Sequence, residues 1–262
     1  MKFTDELKAR VKAAQKTIVL PENNSDRALK AAATVTAEGF AKIVLVGDPE
    51  QLKKDAERLH INLDACKVIN PATYERMDEL CAYFAERRKK KGMTVEKARE
   101  IMLSDTTFFA AGLVALGEAD GCVSGSTRTS ADVIKAGLQV VGVKPGNKTV
   151  CGGFIVLSNT NLGDNGRLVF GDCGVIIEPT AEQLADIAVS CAERARNTLQ
   201  IAEPKVAMLC YATKGSGTGD EVDKVKEAVE ILKSRNVDFA FDGELQADAA
   251  LVPEVGERKA PG

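Results

Sequence analysis

Short apolar runs alternate along the chain with segments in which apolar residues recur at helical spacing. Runs of small or β-branched residues at 16–20, 41–46, 66–69 and 121–124 are each followed by Pro, Gly or Asn, which predicts strands that end in turns. Parallel strands need crossover connections, and helices usually supply them. The alternation therefore predicts an α/β fold with a mostly parallel sheet.

Helix boundaries are indicated by capping residues. Ser25 is placed to cap a helix that runs to Glu38 and stops at Gly39. A second helix carries apolar residues from Tyr74 to Phe84 on one face and stops at Gly92. Further helical segments are predicted at 95–103, 108–116 and 131–141.

A polar, turn-forming stretch separates two series of elements, and we take it as the boundary between a first domain, 1–145, and a second, 146–262. Strands at 150–157 and 167–177 are predicted to form a hairpin or a meander, because turn residues separate them. A Thr-Ala-Glu-Gln capping box at 180–183 starts the next helix. The remaining predicted elements are strands at 206–210 and 239–241 and a helix that starts at Asp220.

Composition narrows the range of functions. The chain has 262 residues, of which 45% are hydrophobic and 28% charged, and this is typical of a globular protein with a sizeable core. The net charge of -3 gives no support for nucleic-acid binding. The N-terminus has no apolar signal region, and no apolar run reaches the roughly 20 residues of a membrane helix. We therefore expect a cytosolic protein.

Cysteine and histidine content limits the chemistry further. The 7 cysteines include no C-x-x-C pair, which favours free thiols over disulfides or a structural zinc site. The single histidine, His60, makes serine-hydrolase triads and His-ligated catalytic metals poor candidates. We expect carboxylates, hydroxyls, cations and the substrate's own nucleophile to carry the chemistry.

Ligands of open parallel sheets bind at the carboxyl ends of the strands, where this chain has polar loops. The loop 125–130 follows one predicted strand and leads into a helix, so its backbone N–H groups and the helix dipole favour an anion. Its candidate phosphate- or acyl-binding side chains are Ser126, Thr127, Arg128, Thr129 and Ser130. The alternative is a flexible turn with a Ser or Thr helix cap.

Two further loops lie in the predicted second domain. Lys214 among glycines and hydroxyls suits an anion, although no P-loop is present, and the alternative is a mobile surface loop. Glycines flank Asp172 and Cys173 and allow close backbone approach, and the alternative is a β-bulge with an incidental acid. The candidates from these loops are Asp172, Cys173, Thr213, Lys214, Gly215 and Ser216. The acidic strand end 242–248 is expected to supply caps and turns rather than a metal site.

The basic run Arg87–Lys91 ends a predicted helix, where it complements the negative helix end or meets an anionic cofactor tail. Several anion-binding elements without a nucleotide fingerprint indicate a small, phosphate-containing substrate.

These segments resemble the phosphate acetyltransferase (phosphotransacetylase) family from about Thr17 to Gly262. The matching stretches are 16–22, 43–47, 120–125, 129–132, 171–174, 204–209, 211–216 and, most specifically, 242–250 with the sequence DGELQADAA.

The resemblance implies two three-layer α/β/α domains with an interdomain cleft, of the type found in isocitrate and isopropylmalate dehydrogenases. It implies reversible acetyl transfer between acetyl-CoA and phosphate, and a homodimer. Coenzyme A is then a substrate, with no permanently bound cofactor and no metal. The implied mechanism is a ternary complex, in which a carboxylate deprotonates the CoA thiol and the thiolate attacks acetyl phosphate. Cations and hydroxyls stabilise the oxyanion and the departing phosphate.

By position, the resemblance assigns Arg88 to CoA binding. Lys135 falls where many members have a second CoA-binding arginine, and it keeps the charge but loses the bidentate fork. Arg128 stands where relatives often have another residue type, frequently histidine. The family's Ser-Arg pair and catalytic aspartate are expected beyond Gly262. The sequence is therefore expected to be a piece of a longer protein or a catalytically crippled variant, with an incomplete first-domain sheet and exposed apolar surface.

Alternatives to acetyl transfer stay open at this point. Phosphate butyryltransferase has the same chemistry with a larger acyl pocket. A non-catalytic acyl-CoA-sensing module is a possibility from another class. A dehydrogenase is disfavoured, because neither a G-x-G-x-x-G fingerprint nor a metal-binding aspartate set is present.

Overall fold

The computed structural model of the chain describes residues 3–145 and 147–261. Its contacts divide the chain into two compact units, Met1–Gly142 and Val143–Gly262. Each unit combines strands with helices, so the fold is a mixed α/β fold with parallel strand pairs.

The first unit alternates strands and helices. Its elements are α1 (Phe3–Ala14), β1 (Thr17–Leu20), α2 (Asp26–Ala37), β2 (Lys42–Val46), α3 (Pro49–Leu59), β3 (Lys67–Ile69), α4 (Met77–Arg87), α5 (Val95–Ser104), α6 (Thr106–Ala115), β4 (Gly121–Cys122) and α7 (Ser130–Ala136). Short 3-10 helices lie at Pro71–Thr73 and Lys89–Lys91, and a π-helical turn, Gly137–Val141, follows α7.

The four strands of this unit form one sheet in the order β3-β2-β1-β4, and every pair is parallel. The chain runs outward from β1 through β2 to β3, and then returns through α4, α5 and α6 to place β4 on the other side of β1. The strand order therefore reverses between β1 and β4. A crevice opens at such a switch point, outside the carboxyl ends of the strands.

Helices cover both faces of this sheet, because the side chains of β2 alternate between two apolar clusters. Val44 and Val46 pack with residues of α4, α5 and α6, including the buried Phe84 and Phe109. Ile43 and Leu45 pack on the opposite face with residues of α2 and α3. The packing fixes the strand register, so the loops at the carboxyl edge rest on a rigid support.

The second unit holds two strand pairs. Its elements are β5 (Phe154–Leu157), a helical turn α8 (Leu162–Asn165), β6 (Arg167–Phe170), α9 (Ala181–Asn197), β7 (Lys205–Leu209), α10 (Asp220–Ser234), β8 (Ala240–Leu245), α11 (Ala247–Leu251) and α12 (Pro253–Lys259). Strands β5 and β6 form an antiparallel hairpin, whereas β7 and β8 are parallel. Apolar residues of α9, α10 and β7 form the core of this unit.

The predicted helix caps are confirmed. Ser25 caps α2 by accepting a hydrogen bond from the Ala28 N–H at 3.3 Å. Thr180 and Gln183 form a complete capping box at the start of α9. Asp220 begins α10 as expected. These signals are local, since cap and helix are adjacent in sequence.

Strand lengths were predicted less well. The strand expected at 121–124 is only two residues long and half-buried, and the strands expected at 150–157 and 167–177 are four residues each. The helix expected at 131–141 is seven α-helical residues followed by the π-helical turn. A strand continues only while a neighbour offers ladder partners, which a single run of sequence does not reveal.

In the described ranges, none of the helices combines the length and apolar character needed to cross a bilayer.

Candidate functional site

The switch point between β1 and β4 brings together two segments that are far apart in sequence. Pro21 and Glu22 continue from the end of β1, and the loop Gly125–Arg128 continues from β4. We call the segment Gly125–Arg128 the switch-point loop. It stands where open parallel sheets bind ligands.

The carboxylate of Glu22 fills the concave side of the switch-point loop. Its Oε2 accepts hydrogen bonds from the backbone N–H groups of Gly125, at 2.8 Å, and Ser126, at 2.9 Å. Its Oε1 accepts from the N–H groups of Thr127 and Arg128, at 2.5 and 2.9 Å, and from the Thr127 hydroxyl at 2.9 Å. One carboxylate thus binds four consecutive backbone N–H groups.

Glu22 is only 5% exposed. Burial by itself would raise the pKa of its carboxyl, but hydrogen bonds from the backbone of Thr127, Ser126 and Arg128 outweigh it and lower that pKa to about 2. Burial raises the pKa of Cys122 to about 11, and the charge of Glu22 adds to this effect. Glu22 is therefore ionised at neutral pH, and Cys122 stays a neutral thiol.

Other groups of the switch-point loop also form hydrogen bonds or an ion pair. The Ser126 hydroxyl lies 2.6 Å from the Ser25 hydroxyl, and Arg27 donates to the Ser126 carbonyl at 2.7 Å. The guanidinium of Arg128 lies 3.4 Å from the carboxylate of Asp105, which also caps α6. The side chain of Arg128 keeps 38% of its surface exposed, so it is the cation of this loop that faces solvent.

The two residues after the switch-point loop begin α7. The Thr129 hydroxyl accepts from the Asp132 N–H at 3.2 Å and donates to the Asp132 carboxylate at 2.8 Å, so it acts as the helix cap. The side chain of Ser130 is exposed. The capping alternative therefore holds for Thr129, while Ser130 and Arg128 keep donors on the surface.

The loop after β7 also contacts the carboxylate of a buried glutamate, but through a single backbone N–H group. Glu244, near the end of β8, is 3% exposed and accepts a hydrogen bond from the Gly215 N–H at 2.7 Å. Burial would raise the pKa of Glu244, but hydrogen bonds from its own and the Gly215 backbone, with the charges of Lys226 and Lys214, lower it.

Side chains of this second loop are tied to β8 and the residue after it. The ammonium of Lys214 forms an ion pair with Asp242, although 39% of the Lys214 side chain is exposed. The Ser216 hydroxyl accepts from the Thr213 N–H at 2.9 Å. Thr213 is buried, and its hydroxyl accepts from the Gln246 N–H at 2.9 Å. Lys214 is thus the exposed cation of this loop.

The third predicted loop follows β6. The Asp172 carboxylate accepts hydrogen bonds from the N–H groups of Gly174, Val175 and Ile176, at 2.9, 3.0 and 3.0 Å. Burial would raise the pKa of Asp172, but these N–H groups lower it. The half-buried Cys173 thiol donates to a backbone carbonyl of β6 at 3.1 Å. Asp172 therefore organises its own loop.

The three loops share one feature that the sequence analysis missed: each binds a carboxylate of the chain itself. The carboxylates are Glu22, Asp172 and Glu244. The backbone N–H groups of 125–130 were expected to favour an outside anion, but those of 125–128 are occupied by Glu22. Anion binding stays a prediction for the side chains alone. The sequence does place an acidic residue, Glu22, shortly after a predicted strand. To infer that this residue binds the loop 125–128, one must also know that β1 and β4 are neighbours.

The two residues predicted to bind CoA lie at the end of α4 and on α7, and α4 contacts the π-helical turn that follows α7. Arg88 caps the end of α4 and is half-buried, and its Nε is enclosed with no hydrogen-bond partner among the described residues. Lys135 is exposed in the last turn of α7. The Tyr83 hydroxyl of α4 donates to the carbonyl of Val140, in the π-helical turn after α7, at 3.0 Å. The role of Arg88 and Lys135 in CoA binding stays a prediction.

Comparison with known proteins defines a class of acyltransferase. The phosphate acetyltransferase of Thermoanaerobacterium thermosaccharolyticum is 44% identical over 263 residues, covering 100% of this chain and 79% of the relative. That of Treponema pallidum is 43% identical, with the same two coverages. A phosphotransacetylase structure from Streptococcus pyogenes superposes with a TM-score of 0.88 at 38% identity, covering 99% of this chain and 77% of the other.

A match over nearly the entire sequence shows which family this chain belongs to. Residues 2–262 match the family described as phosphate acetyl/butaryl transferase. This chain belongs to that family.

Proposed function

We propose that the chain transfers an acetyl group reversibly between acetyl-CoA and inorganic phosphate, giving acetyl phosphate and CoA. The observation that carries this proposal is the 44% identity to a phosphate acetyltransferase over 100% of the chain. CoA is a substrate here, and the reaction needs no permanently bound cofactor or metal.

The proposed chemistry is direct transfer in a ternary complex. A carboxylate removes the proton of the CoA thiol, and the thiolate attacks the carbonyl carbon of acetyl phosphate. The S–C bond forms, the C–O bond to phosphate breaks, and phosphate leaves with its electron pair. No covalent enzyme intermediate forms. Positioning of the two substrates and stabilisation of the oxyanion are then the main contributions of the protein.

Arg128 and Lys214 are the proposed phosphate-binding cations. Each is held in an exposed ion pair, Arg128 with Asp105 and Lys214 with Asp242. Exposed ion pairs contribute only about 0–1 kcal/mol. A phosphate dianion can therefore replace the carboxylate of Asp105 or of Asp242 at small cost. The exposed hydroxyl of Ser130 adds a donor beside Arg128.

Arg88 and Lys135 are the proposed contacts for the phosphates of CoA. The Nε of Arg88 supports this assignment, because it is enclosed with no hydrogen-bond partner in ranges 3–145 and 147–261, and such a donor is unfavourable until a partner satisfies it. Lys135 offers a single exposed charge rather than a fork.

We also propose that both units are three-layer α/β/α domains of the dehydrogenase-like type and that the chain forms a homodimer. Helices on both faces of the first sheet support the layered assignment. Exposed apolar side chains on the β5–β6 hairpin support self-association.

The family description favours one second candidate, butyryl transfer, because it names both acyl groups. Thioester formation from CoA with acetyl phosphate and with butyryl phosphate separates the two. We expect a kcat/KM for acetyl phosphate at least about tenfold higher, since misfitting methylenes cost about 1–3 kcal/mol each. A preference for butyryl phosphate would contradict the acetyl assignment, and no turnover of either would contradict acyl transfer by these 262 residues alone.

A further inference from the structure

The switch-point loop has the backbone arrangement of an anion receptor. Four consecutive N–H groups and one hydroxyl converge on a single point. Such concave rings of N–H groups bind phosphate and other anions in many proteins. In this chain the bound anion is the carboxylate of Glu22, which arrives from the neighbouring strand.

The carboxylate of Glu22 is held by dipoles and not by a cation. In the part of the chain that the structure describes, no ion pair to Glu22 is formed, so the loop is its whole support. Hydrogen bonds to an ionised acceptor are roughly twice as strong as neutral ones. A free phosphate could accept from the same five donors, but the fold already places the carboxylate of Glu22 among them. Because that local concentration is set by the chain, a free phosphate is a poor competitor for this position.

We propose that Glu22 is a positioning residue for acyl transfer: its buried carboxylate shapes the switch-point loop and so fixes where Arg128 and Ser130 meet the phosphate. This inference rests on the proposed function. The N–H of Arg128 is one of the donors to Glu22, and Ser130 starts α7 two residues later. Removal of the carboxylate frees the loop that carries Arg128 and leads into α7, where Ser130 lies.

The chemistry of Glu22 suggests a graded set of variants. Glu22→Gln keeps the shape, but its amide NH₂ replaces an oxygen that accepts at least two hydrogen bonds, so donor faces donor. Glu22→Ala leaves a cavity lined by N–H groups, into which formate fits as a free carboxylate. Asp120→Asn is the matched control, because Asp120 binds the Thr17 N–H at 2.8 Å at the opposite, amino end of the same two strands.

The test measures kcat and KM for acetyl phosphate and CoA with and without formate. We expect Glu22→Ala and Glu22→Gln to lose about 100-fold in kcat/KM for acetyl phosphate, the size of effect that a misplacement of about 1 Å produces. Formate should restore at least about tenfold in Glu22→Ala and nothing in Glu22→Gln, which has no cavity. KM for CoA should stay within about twofold, and Asp120→Asn should keep wild-type kinetics.

Hydrogen exchange of residues 125–128 supplies a readout that does not depend on turnover. Their N–H groups should lose protection in Glu22→Ala and regain it with formate. Unchanged protection would overturn the proposal even if the wild type were inactive, whereas inactivity of the wild type alone counts only against the proposed function. A lower KM for phosphate with unchanged kcat in Glu22→Ala would also overturn the proposal. Glu22 would then occupy the phosphate position and compete with the substrate.

Discussion

One guanidinium nitrogen sets Arg88 apart from the other cations of the run 87–91. Arg87 donates through its Nε to the carbonyl of Gln139, at 3.2 Å, and Lys89 lies 3.4 Å from Glu86 on the surface. The Nε of Arg88 has no such partner among the described residues and is enclosed. A charge kept in this condition is more typical of a binding site than of a helix end.

Arg88→Ala is expected to raise KM for CoA by about tenfold or more, because a hydrogen bond to a charged group contributes about 1.5–3 kcal/mol. KM for acetyl phosphate should change much less. Initial rates at varied concentrations of each substrate measure both constants. Lys90→Ala is the control, since Lys90 is an exposed cation of the same run. Equal effects on the two substrates would remove Arg88 from the CoA site.

At the scale of single residues, the sequence identified the charged side chains of each loop better than it identified the groups that the side chains contact. Arg128 and Lys214 do carry the exposed charges of their loops. The sequence did not show that Thr129 binds the start of α7 and that Asp172 binds its own loop backbone, and their role in substrate binding stays a prediction. The difference arises because short polar side chains satisfy the nearest donors first, and a sequence does not rank these against a ligand.

Helices and hairpins differ in how far their own sequence determines them. The starts of α2 and α9 followed from capping residues within a few positions of each start. The length of the two-residue strand β4 did not follow from its own sequence, because it depends on pairing with β1. The β5–β6 hairpin was predicted as one of two arrangements, and its register depends on contacts outside the pair.

The β5–β6 hairpin is the element on which self-association should depend. Phe154 and Phe170 are cross-strand partners that are 62% and 38% exposed, and Leu157 is 48% exposed. A two-stranded hairpin has open outer edges, and pairing of identical edges satisfies two-fold symmetry.

Phe154→Glu is therefore expected to shift the chain from a dimer toward its monomer mass of 27.9 kDa. Light scattering after size-exclusion chromatography measures the mass at several concentrations. Leu103→Glu is the control, because Leu103 is 48% exposed on α5 in the other unit. A monomeric wild type, or equal dissociation in both variants, would contradict a dimer through the hairpin.

At the scale of the whole molecule, internal carboxylates make stability depend on pH. Glu22 has a pKa of about 2, against 4.5 for a free glutamate, and the pKa values of Glu244 and Asp172 are also lowered. A lowered folded-state pKa contributes stability that is complete above the unfolded pKa and disappears as the pH falls through the folded one. The contribution of Glu22 alone is about 3 kcal/mol.

The urea midpoint is expected to be steady from pH 7 to about 5 and to fall as the pH drops further. Glu22→Gln should be less stable than the wild type at pH 7, and the gap should narrow below pH 4.5. Glu79→Gln should show a much smaller gap, because the Arg76 hydrogen bond that lowers the pKa of Glu79 belongs to an ion pair exposed to solvent. A gap that widens toward low pH would contradict the assigned ionisation of Glu22.

A ligand that belongs to the chain cannot be diluted away. Glu22 reaches the switch-point loop from an adjacent strand, so its local concentration is set by the fold and not by the solution. A loop that depended on a free anion for its shape would lose it whenever that anion was scarce. This loop is shaped by a group of the chain itself, so under the proposed function each new substrate molecule would meet a surface that is already formed.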